Sequence, residues 1–335
     1  MDAKALVYKG SIPDHCCCDQ ALRFLPDGGM VAIFMTGGNA EPERANHIRL
    51  CRSRDGKTWS KSEVVLREPD RAWLLSDVVI TDDGRIVVAA HSHNGYFDEW
   101  RNWLIESADG GCTWSAPAGF APAPRRAFLR TLYRATWGEA FWTIQSYDTV
   151  EAWEASPLRD GSFRHPYLQV IRTDGNLSHF AELFGRIGPV RDWAECNMVE
   201  LSDGSLAMLI RNDGSGHLLR SDSADRGRTW SPACRTDIAN PGSKFRLHRL
   251  RDGRILFIHN DSDRPGVRNP LSLWVSEDDM RTWAYRRVLA DFPGQLQYPD
   301  GEIDHDETRV HFVFDYNRHD VIYWAATIPA RGEHA

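Results

Sequence analysis

Short apolar runs, rich in β-branched and aromatic side chains, recur along the chain at nearly even intervals. Five stand out: Met30-Val-Ala-Ile-Phe, Arg85-Ile-Val-Val-Ala-Ala, Leu206-Ala-Met-Leu-Ile, Arg254-Ile-Leu-Phe-Ile and Val310-His-Phe-Val-Phe. Polar turn signals punctuate them at Pro26-Asp27-Gly28-Gly29, Asp82-Asp83-Gly84, Trp137-Gly138-Glu139, Ser202-Asp203-Gly204, Arg251-Asp252-Gly253 and Asp304-His305-Asp306. The middle residues 27, 83, 138, 203, 252 and 305 are separated by 56, 55, 65, 49 and 53 positions. Runs this short, joined by Asp-Gly turns, predict paired strands. No stretch has the length of a helix, and Tyr96-Phe-Asp-Glu-Trp-Arg-Asn-Trp reads as a loop or short turn.

A second series interleaves with the first. Its four copies are Ser53-Arg-Asp55-Gly56-Lys-Thr58-Trp59, Ser107-Ala-Asp109-Gly110-Gly-Cys-Thr113-Trp114, Ser223-Ala-Asp225-Arg-Gly227-Arg-Thr229-Trp230 and Ser276-Glu-Asp278-Asp-Met-Arg-Thr282-Trp283. Asp and Ser/Thr side chains bond nearby backbone N–H groups, so each copy reads as a turn between two strands rather than a metal site. The Trp is a large plate suited to packing between sheets. One unit is then strand, Asp-Gly hairpin, strand, longer loop, strand, Asp-rich turn, strand. Six such units give an all-β fold, a six-bladed β-propeller of four-stranded antiparallel blades that takes up residues 1–335 as one domain. In the third unit Arg172-Thr-Asp174-Gly175-Asn-Leu-Ser178 stands where the second turn belongs. The N-terminal Ala5-Leu-Val-Tyr-Lys is expected to close the ring on the last blade.

This topology sorts residues by face. Both turn series lie at one end. The opposite end collects the loops before first strands and after second strands, where a ligand would sit on the axis. Those loops carry Asp19, Asp77, Glu195, Lys244 and Tyr298, together with Glu41, Glu43, His91, Tyr147, Asp148, Arg211, Arg268 and Arg318. Carboxylates, guanidinium groups and phenols at strand mouths point to a working pocket rather than a solvated rim.

Composition narrows the class. The chain is 42% hydrophobic and 11% aromatic, ample for a large core, and its net charge of −7 comes with no basic block, so nucleic acid is not an expected partner. There is no long apolar run, hence no expected membrane partner and no leader, and the cytoplasm is the expected location. The seven cysteines are odd in number, and Cys16-Cys17-Cys18 lacks the paired spacing of a zinc site, so buried thiols are expected and neither metal nor organic cofactor.

The four S-x-D…T-W copies resemble the Asp-box, or BNR repeat, of the sialidase (neuraminidase) superfamily, and the resemblance runs over nearly the whole chain. Glu195-Cys-Asn-Met-Val-Glu200-Leu, followed by Met-Leu-Ile-Arg211, looks like the sialidase segment holding a glutamate and one arginine of the carboxylate-binding triad. Arg268-Asn-Pro-Leu-Ser-Leu-Trp looks like the segment of another triad arginine, and Leu296-Gln-Tyr298-Pro-Asp-Gly like that of the tyrosine nucleophile. The resemblance implies an exo-glycoside hydrolase acting on a carbohydrate with a terminal acidic or unusual sugar. Tyr298 would be the nucleophile, Glu195 the carboxylate that takes its proton, and Arg211 with Arg268 the anion clamp. Two positions depart from the pattern. The first blade opens with Cys16-Cys17-Cys18-Asp19 in place of an arginine, with Arg318 as a substitute. Its acid/base aspartate is replaced by Glu41-Pro-Glu43-Arg44, where Glu43 is the expected acid, with Asp19, Asp77 and the His91/His93 pair as rivals. Asp77, His91 and Lys244 complete the expected substrate contacts. Two other readings remain: a propeller lyase acting on uronate-linked sugar through a His91 or Tyr147 base, and a non-catalytic carbohydrate-binding propeller.

Overall fold

The computed structural model describes residues 2–97, 99–120, 127–146, 167–174, 180–187, 194–213 and 215–333. These form 24 strands in six four-stranded sheets and, among the described residues, no α-helix. No helix is therefore long and apolar enough to cross a membrane. Strand β1 (Ala3–Lys9) is set apart by sequence from the sheet it joins. Blade 1 is β2 (Cys17–Phe24), β3 (Met30–Thr36), β4 (His47–Ser53) and β5 (Glu63–Leu66). Blade 2 is β6 (Ala72–Ile80), β7 (Ile86–His93), β8 (Arg101–Ser107) and β9 (Ala118–Gly119). Blade 3 is β10 (Ala127–Arg134), β11 (Glu139–Ser146), β12 (Tyr167–Asp174) and β13 (Phe180–Ile187). Blade 4 is β14 (Cys196–Glu200), β15 (Leu206–Ile210), β16 (His217–Ser223) and β17 (Cys234–Ala239). Blade 5 is β18 (Arg246–Arg249), β19 (Ile255–Asn260), β20 (Leu271–Ser276) and β21 (Tyr285–Ala290). Blade 6 is β22 (Leu296–Ile303), β23 (Arg309–Tyr316), β24 (Asp320–Thr327) and, as its outer strand, β1, paired antiparallel from Ala3↔Ala325 to Lys9↔Asp320.

Ring closure by the N-terminal strand is thus as the sequence predicts. It covers the outer edge of β24, which would otherwise be open to pairing. One expectation shifts: the aromatic stretch after Tyr96 is irregular only as far as Trp100, and Arg101–Trp103 begin β8. The third blade's second turn, Gly175–Ser178, and Tyr147 and Asp148 lie outside the described residues.

In blades 1, 2, 4 and 5 the second strand is buried along its whole length, so it reads as a mostly apolar run rather than an alternating one. All seven residues of β3 are buried. The core lies between blades: Ile33 and Leu50 of blade 1 pack with Trp73 and Val88 of blade 2, and Leu256 and Leu273 of blade 5 with Phe312 and Phe314 of blade 6. The Asp-box turns fasten the outer hairpins. In the second copy Ser107 Oγ accepts from the Gly111 N–H at 2.8 Å and donates to Asp109. Asp109 in turn accepts from the Thr113 N–H and hydroxyl at 2.9 and 2.6 Å. The Trp59 ring of the first copy lies 5.6 Å from Tyr323 across the blade boundary, and a Cβ on Gly56 would collide with that tyrosine.

The inner strands matter most for function. Four of the six bulge, between Cys18 and Ala21, Leu75 and Asp77, Leu129 and Leu132, and Gln297 and Asp300. A bulge adds an unpaired residue and re-aims its side chain. Here the extra residues turn toward the axis at the end opposite the Asp-boxes.

Candidate functional site

The bulges frame a cavity of about 210 Å³ on the ring axis. Its walls include Tyr298, Glu195, Arg211, Arg268, Asp19, Asp77, His91, Lys244 and Arg318, drawn from five of the six blades. These nine side chains, all singled out in the sequence, therefore share one space. His93 does not line it, and neither does Glu43. Its carboxylate accepts from the Asn39 and Ala40 N–H groups at 3.1–3.2 Å and ties up its own loop. Glu41, two residues earlier, lines the cavity instead.

Tyr298 sits on the β22 bulge with a left-handed backbone (φ 57°), an unfavourable conformation for a bulky residue. Blade 1 holds it there. The buried Gln20 side-chain amide donates to Gln297 O at 3.0 Å and to Tyr298 O at 2.6 Å. The Tyr298 hydroxyl accepts from Arg211 Nη1 at 3.0 Å, and the same nitrogen is 2.5 Å from Glu195 Oε2. All three side chains are at least nine-tenths buried. Three cations surround the phenol: Arg268, Lys244 and Arg211 lie 4.8, 5.0 and 6.0 Å from its ring centre. Burial raises the Tyr298 pKa above its ordinary value, against the pull of Arg211 and Arg268, so the phenol keeps its proton at neutral pH.

The cations are not equally free. Arg211 gives Asp213 two bonds at 2.6 and 2.8 Å besides those to Glu195 and Tyr298, which leaves one of its five N–H donors. Lys244 is bonded to Asp19; burial opposes its charge, but Asp19 and Glu195 outweigh that and raise its pKa. Arg318 is bonded to Glu41 and, at 3.0 Å, to Cys18 Sγ. Arg268 bonds only neutral groups at its side chain, donating to Gln297 Oε1, and has no carboxylate within salt-bridge reach among the described residues. Cys18, Asp19 and Glu41 offer ligand atoms within 4.8 Å of one another, but Lys244 and Arg318 already sit on those two carboxylates.

Two predicted contacts prove to be structural ties. Asp77 spends both oxygens, bonding Arg23 at 2.6 Å, the Val78 N–H at 2.7 Å and the Leu132 N–H at 2.8 Å. His91 bonds Asn102 through Nδ1 at 2.8 Å and Ser76 and Leu129 O through Nε2 at 2.6 and 3.0 Å. Burial and the nearby Arg130 lower its pKa to about 3, so the imidazole is neutral and fully engaged.

Sequence reasoning passes over two arginines. Arg23, in β2, is 3% exposed and lies behind the cavity wall, bridging the lining residues Asp77 and Asp300 and, at 3.8 Å, Glu302. Arg130, on the β10 bulge, lines the wall and bonds Gln145 at 2.5 and 3.0 Å. Both sit in apolar strand sequences, Ala21-Leu-Arg23-Phe and Phe128-Leu-Arg130-Thr. A lone cation in such a run must find a partner inside, which is the signal that marks them.

A family model described as a BNR repeat-like domain matches residues 154–312. No curated protein sequence matches the chain. Among solved structures, a protein of unknown function from Dyadobacter fermentans superposes with a TM-score of 0.75 at 16% identity, over 97% of this chain and 98% of that one. The Hadza microbial sialidase Hz136 gives 0.76 at 19% identity, over 93% of this chain and 66% of its own. The intramolecular trans-sialidase from Ruminococcus gnavus gives 0.70 at 13% identity, over 96% and 97%. At these identities the likeness is one of fold. Turn chemistry, strand order and ring closure agree on a six-bladed β-propeller, and residues 154–312 are similar to a BNR repeat-like domain.

Proposed function

We propose that the upper cavity is the active site of an exo-acting glycoside hydrolase that removes one terminal anionic sugar. The observation that carries this reading is the Tyr298–Arg211–Glu195 cluster, buried at the end of a small cavity with Arg268 and Lys244 beside the phenol. At about 210 Å³ the space suits a single sugar unit rather than a chain.

Arg268, Lys244 and the remaining Arg211 donor face the sugar's carboxylate, and the planar guanidinium of Arg268 can pair with it through two parallel bonds. The Tyr298 oxygen attacks the anomeric carbon while its proton passes to the Glu195 carboxylate. The glycosidic bond breaks, and the leaving oxygen takes a proton from a second carboxyl group. Glu41 is the group we assign, because it comes from the loop expected to supply the acid and lines the cavity; to carry the proton it must give up its contact with Arg318. Water then attacks the sugar–tyrosine bond, Glu41 takes its proton, and Glu195 returns one to the phenolate. The sugar leaves with retained configuration. An uncharged phenol suits an anionic sugar because a carboxylate nucleophile would repel it.

A second reading has its own observation. The candidate acid Glu41 is ion-paired with Arg318, which fits a site that binds an acidic sugar without cleaving it. For the lyase reading, His91 is a poor base, with a pKa lowered to about 3 and both ring nitrogens bonded, and the other candidate base, Tyr147, lies outside the described residues.

A screen of chromogenic glycosides covering sialic acid, other 2-keto sugar acids, glucuronate and rhamnose separates these. The hydrolase reading expects turnover of at least one acidic glycoside and its loss in Tyr298→Phe. Binding of that sugar with no turnover by wild type would establish the binding-only propeller. In Glu41→Gln the rate should fall by about 10²–10⁴ with a poor leaving group and far less with nitrophenolate, which needs no proton.

A further inference from the structure

Below the active-site floor the central channel opens again. A second cavity, of about 660 Å³, lies at the Asp-box end of the inner strands. Asp77 lines both spaces, so the layer of Arg23, Asp77, Asp300 and Arg246 is the floor of one and the roof of the other. The lower walls carry five arginines, at 23, 134, 246, 249 and 251, against three carboxylates, Asp77, Glu200 and Glu302.

The balance is more basic than that count suggests. Glu200 spends its carboxylate on the Thr136 N–H at 3.1 Å and hydroxyl at 2.8 Å. Arg249 donates to the main-chain oxygen of Glu200 at 2.6 Å, and no carboxylate lies within salt-bridge reach of it among the described residues. Among the described residues Arg246 has one acidic partner, Asp300, which it shares with Arg23. Two buried nitrogens on this wall, Arg246 Nε and His248 Nε2, have no hydrogen-bond partner, and a buried donor without a partner is costly. Arg246, His248 and Arg249 all line this cavity.

We propose that the lower cavity binds a compact tetrahedral oxyanion, phosphate or sulfate, through Arg249, Arg246 and His248. Planar guanidinium groups match the paired oxygens of such an anion. Partial enclosure strengthens the attraction relative to open water. The site is separate from the upper pocket and stands whatever that pocket does.

Isothermal titration with inorganic phosphate, inorganic sulfate and glycerol phosphate, at ionic strength held constant with chloride, tests this. Wild type should bind at least one of the two inorganic anions saturably at one site per chain. If glycerol phosphate binds more tightly than phosphate, the ligand is an ester rather than the free ion. Arg249→Gln should weaken binding about tenfold or more, the loss expected for one charge-assisted bond. Arg54→Gln, an exposed arginine elsewhere on the Asp-box face, should leave it unchanged. His248→Phe removes a partnerless nitrogen without changing the charge and should weaken binding several-fold, which keeps the test open if Arg249→Gln does not fold. No saturable binding of either inorganic anion by wild type, or wild-type affinity in both Arg249→Gln and His248→Phe, overturns the proposal.

Discussion

Replacing Arg23 by Met tests whether the ionic layer under the pocket holds the molecule together. The Arg23 side chain is 3% exposed and Asp77 4%, while Asp300 and Glu302 are 21% and 32% exposed. Met fills much of the volume but leaves these carboxylates without their shared cation, and only Arg246 stays near Asp300, at 3.3 Å. Stranding a buried charge in this way costs about 3–5 kcal/mol. With a urea m-value of about 3 kcal/mol/M, the midpoint should fall by roughly 1–1.7 M. Tryptophan fluorescence is a suitable probe, since the chain has 13 Trp. The effect should depend on pH. Burial acts to raise the Asp300 pKa, but Arg23 and Arg246 outweigh it and hold it below the ordinary value. A carboxyl group held low in the folded state stabilises the fold above its unfolded pKa of about 3.9, and that contribution is lost as pH falls through the folded value. Without Arg23, burial favours the protonated acids, so the gap between wild type and variant should be full at pH 7 and narrow below about pH 4. A loss under about 1 kcal/mol at pH 7, or a gap that does not change in acid, would refute the reasoning.

Two further outcomes follow from named contacts. Arg268→Gln should raise KM for an acidic glycoside by about 10–100-fold and leave a neutral one untouched, because it removes a pocket cation that has no acidic partner among the described residues; steady-state kinetics on the paired substrates checks this. Ser223→Ala should cost about 1–3 kcal/mol in urea unfolding, because the buried Gly227 N–H loses its acceptor at 2.8 Å, while activity per folded molecule stays the same.

The ring was legible because each of its causes is local. Asp-Gly turns, Ser/Asp/Thr capping and short β-branched strands all act within a few residues, so their spacing alone gives six blades. Placement of the pocket residues followed from that topology, since the chain must bring loops after second strands and before first strands to one mouth. What stayed hidden depends on contacts between distant segments. Glu43 and Glu41 are alike in sequence, and the choice between them rests on which one the Asn39–Ala40 backbone captures. Asp77 and His91 looked available until Arg23, Leu132 and Leu129 from other strands engaged them. Likewise, the bulge that gives Tyr298 its positive φ is held by Gln20, 278 positions away, and nothing near Tyr298 announces it.

The most direct test is a crystal structure of the protein soaked with a 2,3-unsaturated sugar acid, a planar mimic of the transition state. The account predicts a carboxylate held by Arg268 and the free donor of Arg211, with the anomeric carbon over the Tyr298 oxygen. A sugar acid that seats elsewhere on the ring, or whose carboxylate touches neither arginine, would contradict it.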